Sequence, residues 1–238
     1  MFSAVRSLLS HRMVLRWLGT VWLLGALTGP TAWASLCTTG KLQSPIDIDP
    51  ADTRKVQAPL RFHYPIQALT LANDGDTVRV RLQGSGSLWI GQEHFTLQQF
   101  HFHTPGGDRI HGEEFPLAAH ILHKGDSGQL LAVVVLFRLG ADNPLLSTLI
   151  PLIPTDRGKD HTLAKQTVSA AALMPEQRGY YRYTGSLTAL PCTEGVQWIV
   201  LKEPLTLSAA QLKAYKQRFA DNGRAVQPRN HRTVLESP

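Results

Sequence analysis

Phe100-His101-Phe102-His103 interleaves two imidazoles with two phenyl rings, and a third histidine, His120, follows in the apolar run Leu117 to His123. Alternate residues of a β-strand share a face. The spacing therefore puts His101 and His103 on one side and turns Phe100 and Phe102 into packing on the other. By the same rule Ala118, His120 and Leu122 share a face. Two imidazoles from one strand and one from its neighbour make a three-cornered site. Three neutral histidines with a fourth position open suit a catalytic zinc ion, which makes a bound water nucleophilic near neutral pH. The competing reading of such histidines is satisfied core packing. A cupin-type metal site also uses a His-x-His pair, but needs a carboxylate a few residues on, where this sequence has Gly106 and Gly107.

The segments that must hold these residues read mostly as β. Short alternating or apolar stretches recur at Leu69–Leu71, Thr77–Leu82, Ser87–Ile90, His94–His103, Phe115–His123, Leu130–Phe137 and Val196–Leu201. Asn73-Asp74-Gly75, Gly84-Ser85-Gly86, Pro105-Gly106-Gly107 and Gly125–Gly128 separate them as turn signals. Helical signals are confined to Asn143–Leu152 and Ser208–Phe219, the second opened by a Ser208 cap. Prolines are spread evenly and no repeat is evident, so one domain is expected.

Charge and composition narrow the function classes. With 238 residues, 43% apolar and 18% charged, the chain is long and apolar enough to bury a core. The formal charge of +6 is uneven: residues 1–34 hold Arg6, Arg12 and Arg16 and no acid, leaving +3 on the rest. That mild balance, without a basic run, argues against nucleic acid as partner. The same 34 residues have a positive start, an apolar run from Trp17 to Leu27, and Ala32-Trp33-Ala34 as a cleavage pattern. They read as a cleaved signal peptide (1–34) ahead of a domain at 35–238, with no stable membrane anchor after cleavage. The run falls short of the roughly 20 residues a span needs. A periplasmic or secreted address follows. The two cysteines, Cys37 and Cys192, are then expected to pair rather than stay as free thiols.

Longer motifs carry a resemblance. Gln99 to His103, Phe115-Pro116 and Ala119 to His123 are similar to the α-class carbonic anhydrases, especially the secreted bacterial ones. So are Gln43 to Ile48, Gly185 to Thr188, Trp198 to Pro204, Asn222, Arg224, Gln227-Pro228 and Asn230, in the family's order from Cys37 onward. The resemblance implies a mainly β fold, a large, mostly antiparallel twisted sheet with short peripheral helices. It implies Zn2+ as cofactor, CO2 and bicarbonate as substrates, and attack on CO2 by zinc-bound hydroxide. It identifies His101, His103 and His120 as ligands; because three-histidine zinc is that family's own hallmark, this is not independent of the spacing argument. It implies that Gln99 and Asn222 steady the ligands and that Thr188 orients the nucleophile. It places Leu122, Val133, Leu187, Val196 and Trp198 as an apolar wall for CO2, and Cys37–Cys192 as a disulfide. A distinct outcome, a degenerate zinc- or ligand-binding relative with little hydratase activity, is kept as the alternative.

The departures support that alternative. The family's glutamate two residues before the third ligand is Ala118 here. Its gatekeeper glutamate, which accepts the threonine proton, falls at Gly107, with Asp108 one residue out of register. Its proton-shuttle histidine falls at Asp76. The His-Trp-Gly-Tyr segment it carries near the mature N-terminus has no counterpart before Cys37. Among other residues, His123 is expected to be a packed core histidine, and His63, His94 and His161 show no partner in sequence.

Overall fold

The computed structural model describes residues 36–82 and 86–238, so the expected signal peptide lies outside the described residues. In chain order the strands are β1 (Asp47–Ile48), β2 (Arg54–Lys55), β3 (Leu60–His63), β4 (Gln67–Asn73), β5 (Val78–Arg81), β6 (Ser87–Ile90), β7 (Glu93–His103) and β8 (Arg109–Ile110). They continue with β9 (Leu117–Gly125), β10 (Leu130–Leu139), β11 (Asp160–Val168), β12 (Tyr180–Ser186), β13 (Glu194–Leu201), β14 (Leu205–Leu207) and β15 (Leu235–Ser237). Among the described residues thirteen strands form one mixed sheet, whose main path runs β11-β4-β5-β7-β9-β10-β13-β12-β15-β2. The β10–β13, β10–β14 and β15–β2 pairs are parallel and the other pairs of that sheet antiparallel. The mainly β, mostly antiparallel expectation holds.

Among the described residues, helices α1 (Pro144–Leu149), capped by the Asn143 carboxamide, and α2 (Ala209–Lys216) lie outside the sheet. Ser208 and Gln211 close a reciprocal capping box at the start of α2, as the Ser208 cap anticipated. Among the described residues no helix is long and apolar enough to cross a membrane.

The sheet separates two buried clusters, and strand alternation decides which residue joins which. Phe100, Phe102, Ile121 and Phe137 belong to the larger one, with Leu146 and Leu149 of α1 and Tyr215 of α2. Ile46, Phe115, Ala118, Val134 and Trp198 belong to the other. Each fully buried large apolar side chain contributes roughly 1.5–3 kcal/mol by leaving water, and Phe100 meets Phe102 edge to face at 5.8 Å. His123 sits on the larger-cluster side, buried, with Nε2 2.8 Å from the Tyr64 hydroxyl. Burial pushes its imidazole down to about 3, so it is a neutral packed histidine, as expected. His94 and His161 do have partners, Asp126 at 3.2 Å and Asp156 at 2.8 Å, contributed by residues distant in sequence or across a turn.

One residue of β7 breaks the alternation. Phe95 and Leu97 face the larger cluster, yet so do Phe100 and Phe102. The register against β9 shifts between Leu97 and Gln99, with Gln98 as the extra residue. This bulge moves Gln99, His101 and His103 to the opposite face from Leu97, re-aiming the second half of the strand.

Candidate metal centre

His101 on β7 stands directly across from His120 on β9, and His103 lies two residues further along the same face. The three offer ligand atoms within 4.8 Å of one another. Burial drives all three imidazoles down, His101 and His120 well below the ordinary histidine value. Mutual repulsion adds to this for His101 and His120, and the Asn222 carbonyl partly offsets it for His103. They are therefore neutral and carry free lone pairs at ordinary pH.

The partners fix where those lone pairs point. Nδ1–H of His101 donates to Gln99 Oε1 at 3.0 Å, and Nδ1–H of His103 donates to the Asn222 carbonyl at 3.3 Å. Each ring then presents an unprotonated Nε2, and the two Nε2 atoms face each other at 3.0 Å. Two lone pairs aimed at one another repel, and a cation between them removes the repulsion. This donor set fits zinc: neutral nitrogen ligands, with two rings oriented from behind. Gln99 and the Asn222 backbone thus stand behind two of the three imidazoles. Asn222 also binds the Thr104 N–H through its side chain at 2.8 Å, tying its segment to the end of β7.

The third imidazole is treated differently. His120 Nε2 is buried without a hydrogen-bond partner. Ala118, two residues earlier on the same face, is fully buried and offers only a methyl group. His120 is held by packing alone, edge to face with Trp198 at 5.0 Å.

Thr188 lies in the turn after β12 and lines, with His101 and His103, a cavity of about 600 Å³. Leu187 N–H bonds the Thr193 carbonyl at 2.9 Å across that turn. The Cys37–Cys192 disulfide ties its far side to the start of the described chain. Arg224 reinforces this anchor by donating to the Cys37 carbonyl at 2.8 Å. Gly185 is required just before the turn, since a Cβ there would collide with Ser44 Oγ.

The expected apolar wall needs one correction. Leu122, Leu187, Val196 and Trp198 all pack in the cluster on the histidine side. Val133 does not: it is fully buried in the other cluster. Ala132 pairs with both Leu122 and Trp198, so Ala132 is the β10 residue on their face. The run Leu130 to Phe137 is apolar at every position, so no polar alternation marks its register.

The gatekeeper position Gly107 and its neighbour Asp108 also differ from a simple vacancy. Gly107 has φ +87°, and a Cβ there would meet Pro45 at 3.3 Å. Asp108 does not turn to Thr188. Its Oδ1 accepts from the Ile46 N–H at 3.1 Å and the Tyr183 hydroxyl at 2.8 Å, and it is 1% exposed. Nothing in the sequence marked Asp108 as buried, since Asp beside glycines reads as a turn. Asp76 lies at the rim of the cavity.

Asp108 carries a pH-dependent cost. Burial pushes its carboxyl up to about 6, against the bonds from Ile46 and Tyr183, and Oδ2 has no partner. A raised folded-state value means stability present below about pH 4 and lost as pH rises through 6. The shift of about two units corresponds to roughly 3 kcal/mol. Asp108→Asn keeps the accepting oxygen and removes the charge. Urea unfolding should therefore show its stability relative to wild type rising by roughly that amount from pH 4 to pH 8. An unchanged difference between the two pH values would remove Asp108 as a buried titrating group.

Comparison with known proteins agrees with the geometry. A family model described as eukaryotic-type carbonic anhydrase matches residues 28–238. A carbonic anhydrase of Pectobacterium carotovorum is 39% identical over 204 residues, covering 84% of this chain and 82% of the relative. One of Klebsiella pneumoniae is 39% identical over 216 residues, covering 87% of each. The solved α-carbonic anhydrase of Thermovibrio ammonificans with sulfanilamide superposes at TM-score 0.81 and 38% identity, over 86% of this chain and 91% of that one. Dioscorin solved with ascorbate superposes at TM-score 0.79 and 32% identity, over 90% and 96%.

Proposed function

Because this chain belongs to the eukaryotic-type carbonic anhydrase family, we propose that it interconverts CO2 and bicarbonate with a zinc ion held by His101, His103 and His120. The observation that carries the reading is the pair of Nε2 lone pairs converging at 3.0 Å, each ring held from behind by a fixed acceptor. Zinc bound there supplies the Lewis acidity that makes water nucleophilic near neutral pH. The residues do the rest. Leu122, Ala132, Leu187, Val196 and Trp198 give neutral CO2 an apolar surface that competes with water. The Thr188 hydroxyl accepts a hydrogen bond from the attacking oxygen, and its backbone N–H faces the oxygen on which charge develops. The released proton leaves through the cavity mouth beside Asp76. The unit doing this is residues 35–238, exported to the periplasm or beyond after loss of the signal peptide. The disulfide fits such a compartment. Stopped-flow CO2 hydration on protein of measured zinc content tests the assignment.

A second reading, a zinc- or ligand-binding relative with attenuated catalysis, is favoured by the orphaned His120 Nε2. Loss of a carboxylate behind a ligand typically costs roughly 10–100-fold in metal affinity or activity. Ala118→Glu is expected to recover much of that factor in zinc affinity, read by chelator competition. Gly106 borders the site of the change, since a Cβ there would lie 3.2 Å from that of Ala118. Ala118→Ser, one atom longer, is the gentler partner variant. Unchanged zinc affinity in both, in folded protein, would show that His120 needs no acceptor. Gly107→Glu is the poorer repair, because its left-handed backbone strains any side chain.

A further inference from the structure

Arg79 lies on β5 directly across from His101 on β7. Its neighbours Val78 and Val80 are buried in the larger cluster, so Arg79 faces the histidine side and lines the same cavity. It is the one Lys or Arg among the described lining residues. The lining acids are not all free to neutralise an anion's partner: Asp74 binds Arg79 Nη2 at 2.6 Å, and Asp221 pairs with Lys216 at 2.7 Å. Asp74 is also occupied on its other oxygen, which accepts the N–H groups of Asp76 at 3.3 Å and Thr77 at 3.0 Å. One carboxylate oxygen does not satisfy a guanidinium with five donors. Arg79 Nε is buried and has no acceptor. The side chain as a whole is one-third exposed and lines the cavity, while Asp74 takes only its Nη2.

We propose that Arg79 makes the wall beside His101 a carboxylate-binding subsite, which takes bicarbonate and other small carboxylates through the planar fork of its guanidinium. The naming of bicarbonate rests on the function proposed above; the subsite itself rests on the geometry. A guanidinium matches a planar carboxylate better than a point cation does. Asp74 is then a built-in competitor, and releasing Arg79 from it strengthens anion binding. A purely structural Arg79, which only braces the turn at Asp74, predicts the opposite for Asp74→Asn: anion affinity unchanged or lowered.

The test is titration of zinc-loaded full chain with acetate, and then bicarbonate, at fixed ionic strength by calorimetry. The Arg79 Nε–H resonance is followed in parallel. Binding is expected to shift that resonance. Arg79→Gln should weaken acetate at least about fivefold, and Arg79→Lys, keeping charge without the fork, should fall between. Asp74→Asn keeps an accepting oxygen for the turn and should tighten acetate severalfold. Equal affinity in wild type and Arg79→Gln, both with native melting curves, would overturn the subsite, as would an unmoved Nε–H resonance at saturation. Zinc-loaded protein that fails to hydrate CO2 overturns the functional reading instead, and leaves the acetate result standing on its own.

Discussion

Replacing His101 with alanine is expected to abolish stoichiometric zinc binding and, with it, CO2 hydration. His101 supplies one of the two opposed Nε2 atoms, and its own Nδ1–H is anchored on Gln99. Zinc bound by small structural peptides is worth roughly 10–16 kcal/mol in all. One of three protein ligands therefore removes several kcal/mol, on the order of a thousandfold in affinity. The variant should fold, because His101 faces the cavity and the core on its strand is built by Phe100 and Phe102. Metal analysis after dialysis reads the result. His123→Ala is the matched control: it faces the opposite cluster and should retain about one zinc per chain while losing stability. Stoichiometric zinc retained in a His101, His103, His120 triple alanine variant would remove the site.

The second large effect belongs to the disulfide. Cys37 and Cys192 are 155 residues apart in sequence, so the bridge closes most of the described chain into a loop. The chain-entropy view puts that constraint at roughly 5 kcal/mol, an upper figure if the reduced chain keeps structure. Reduction should lower the melting temperature by many degrees, and thiol reagents should find no reactive cysteine beforehand. Activity should fall together with stability. Cys192 lies on the turn that presents Thr188, and Gln43 donates to the Cys192 carbonyl at 3.2 Å from the segment the bridge holds in place. Two reactive thiols in exported protein, or a melting temperature indifferent to reductant, would contradict this.

Legibility in the sequence tracked how local the determinants were. β6, β7 and β10 read clearly because apolar residues mark them within a few positions, and both helices carried their own caps. The bulge was also visible in principle: Phe95 and Leu97, then Phe100 and Phe102, are apolar at positions of opposite parity. The shortest strands were not readable, β2 and β15 among them. β2 and β15 hold two and three residues and exist through their pairing with each other and with β12. β11 is largely exposed and polar along its length, so nothing periodic announces it. β12 has Gly185 in its interior, which reads as a break but answers to the close approach of Ser44.

At the site, alternation together with the motif put the three histidines and Gln99 on one face, whereas Asn222 and Thr188 were named by the resemblance alone. Val133 was misplaced and Ala132 missed for one reason: in a strand buried on both faces, no polar residue sets the register. Asp108 and Arg79 owe their importance to burial and to a missing partner. Neither property is written in residue type or spacing. Arg79 was nonetheless reachable, as the polar position between Val78 and Val80 on a strand that pairs with the histidine strand.

The most direct measurement is the stopped-flow rate of CO2 hydration on full-length processed protein, with zinc content determined on the same sample. The rate should rise in proportion to zinc occupancy, disappear on chelation and return when zinc is restored. Fully zinc-loaded, folded protein that hydrates CO2 no faster than its chelated form would contradict the assignment.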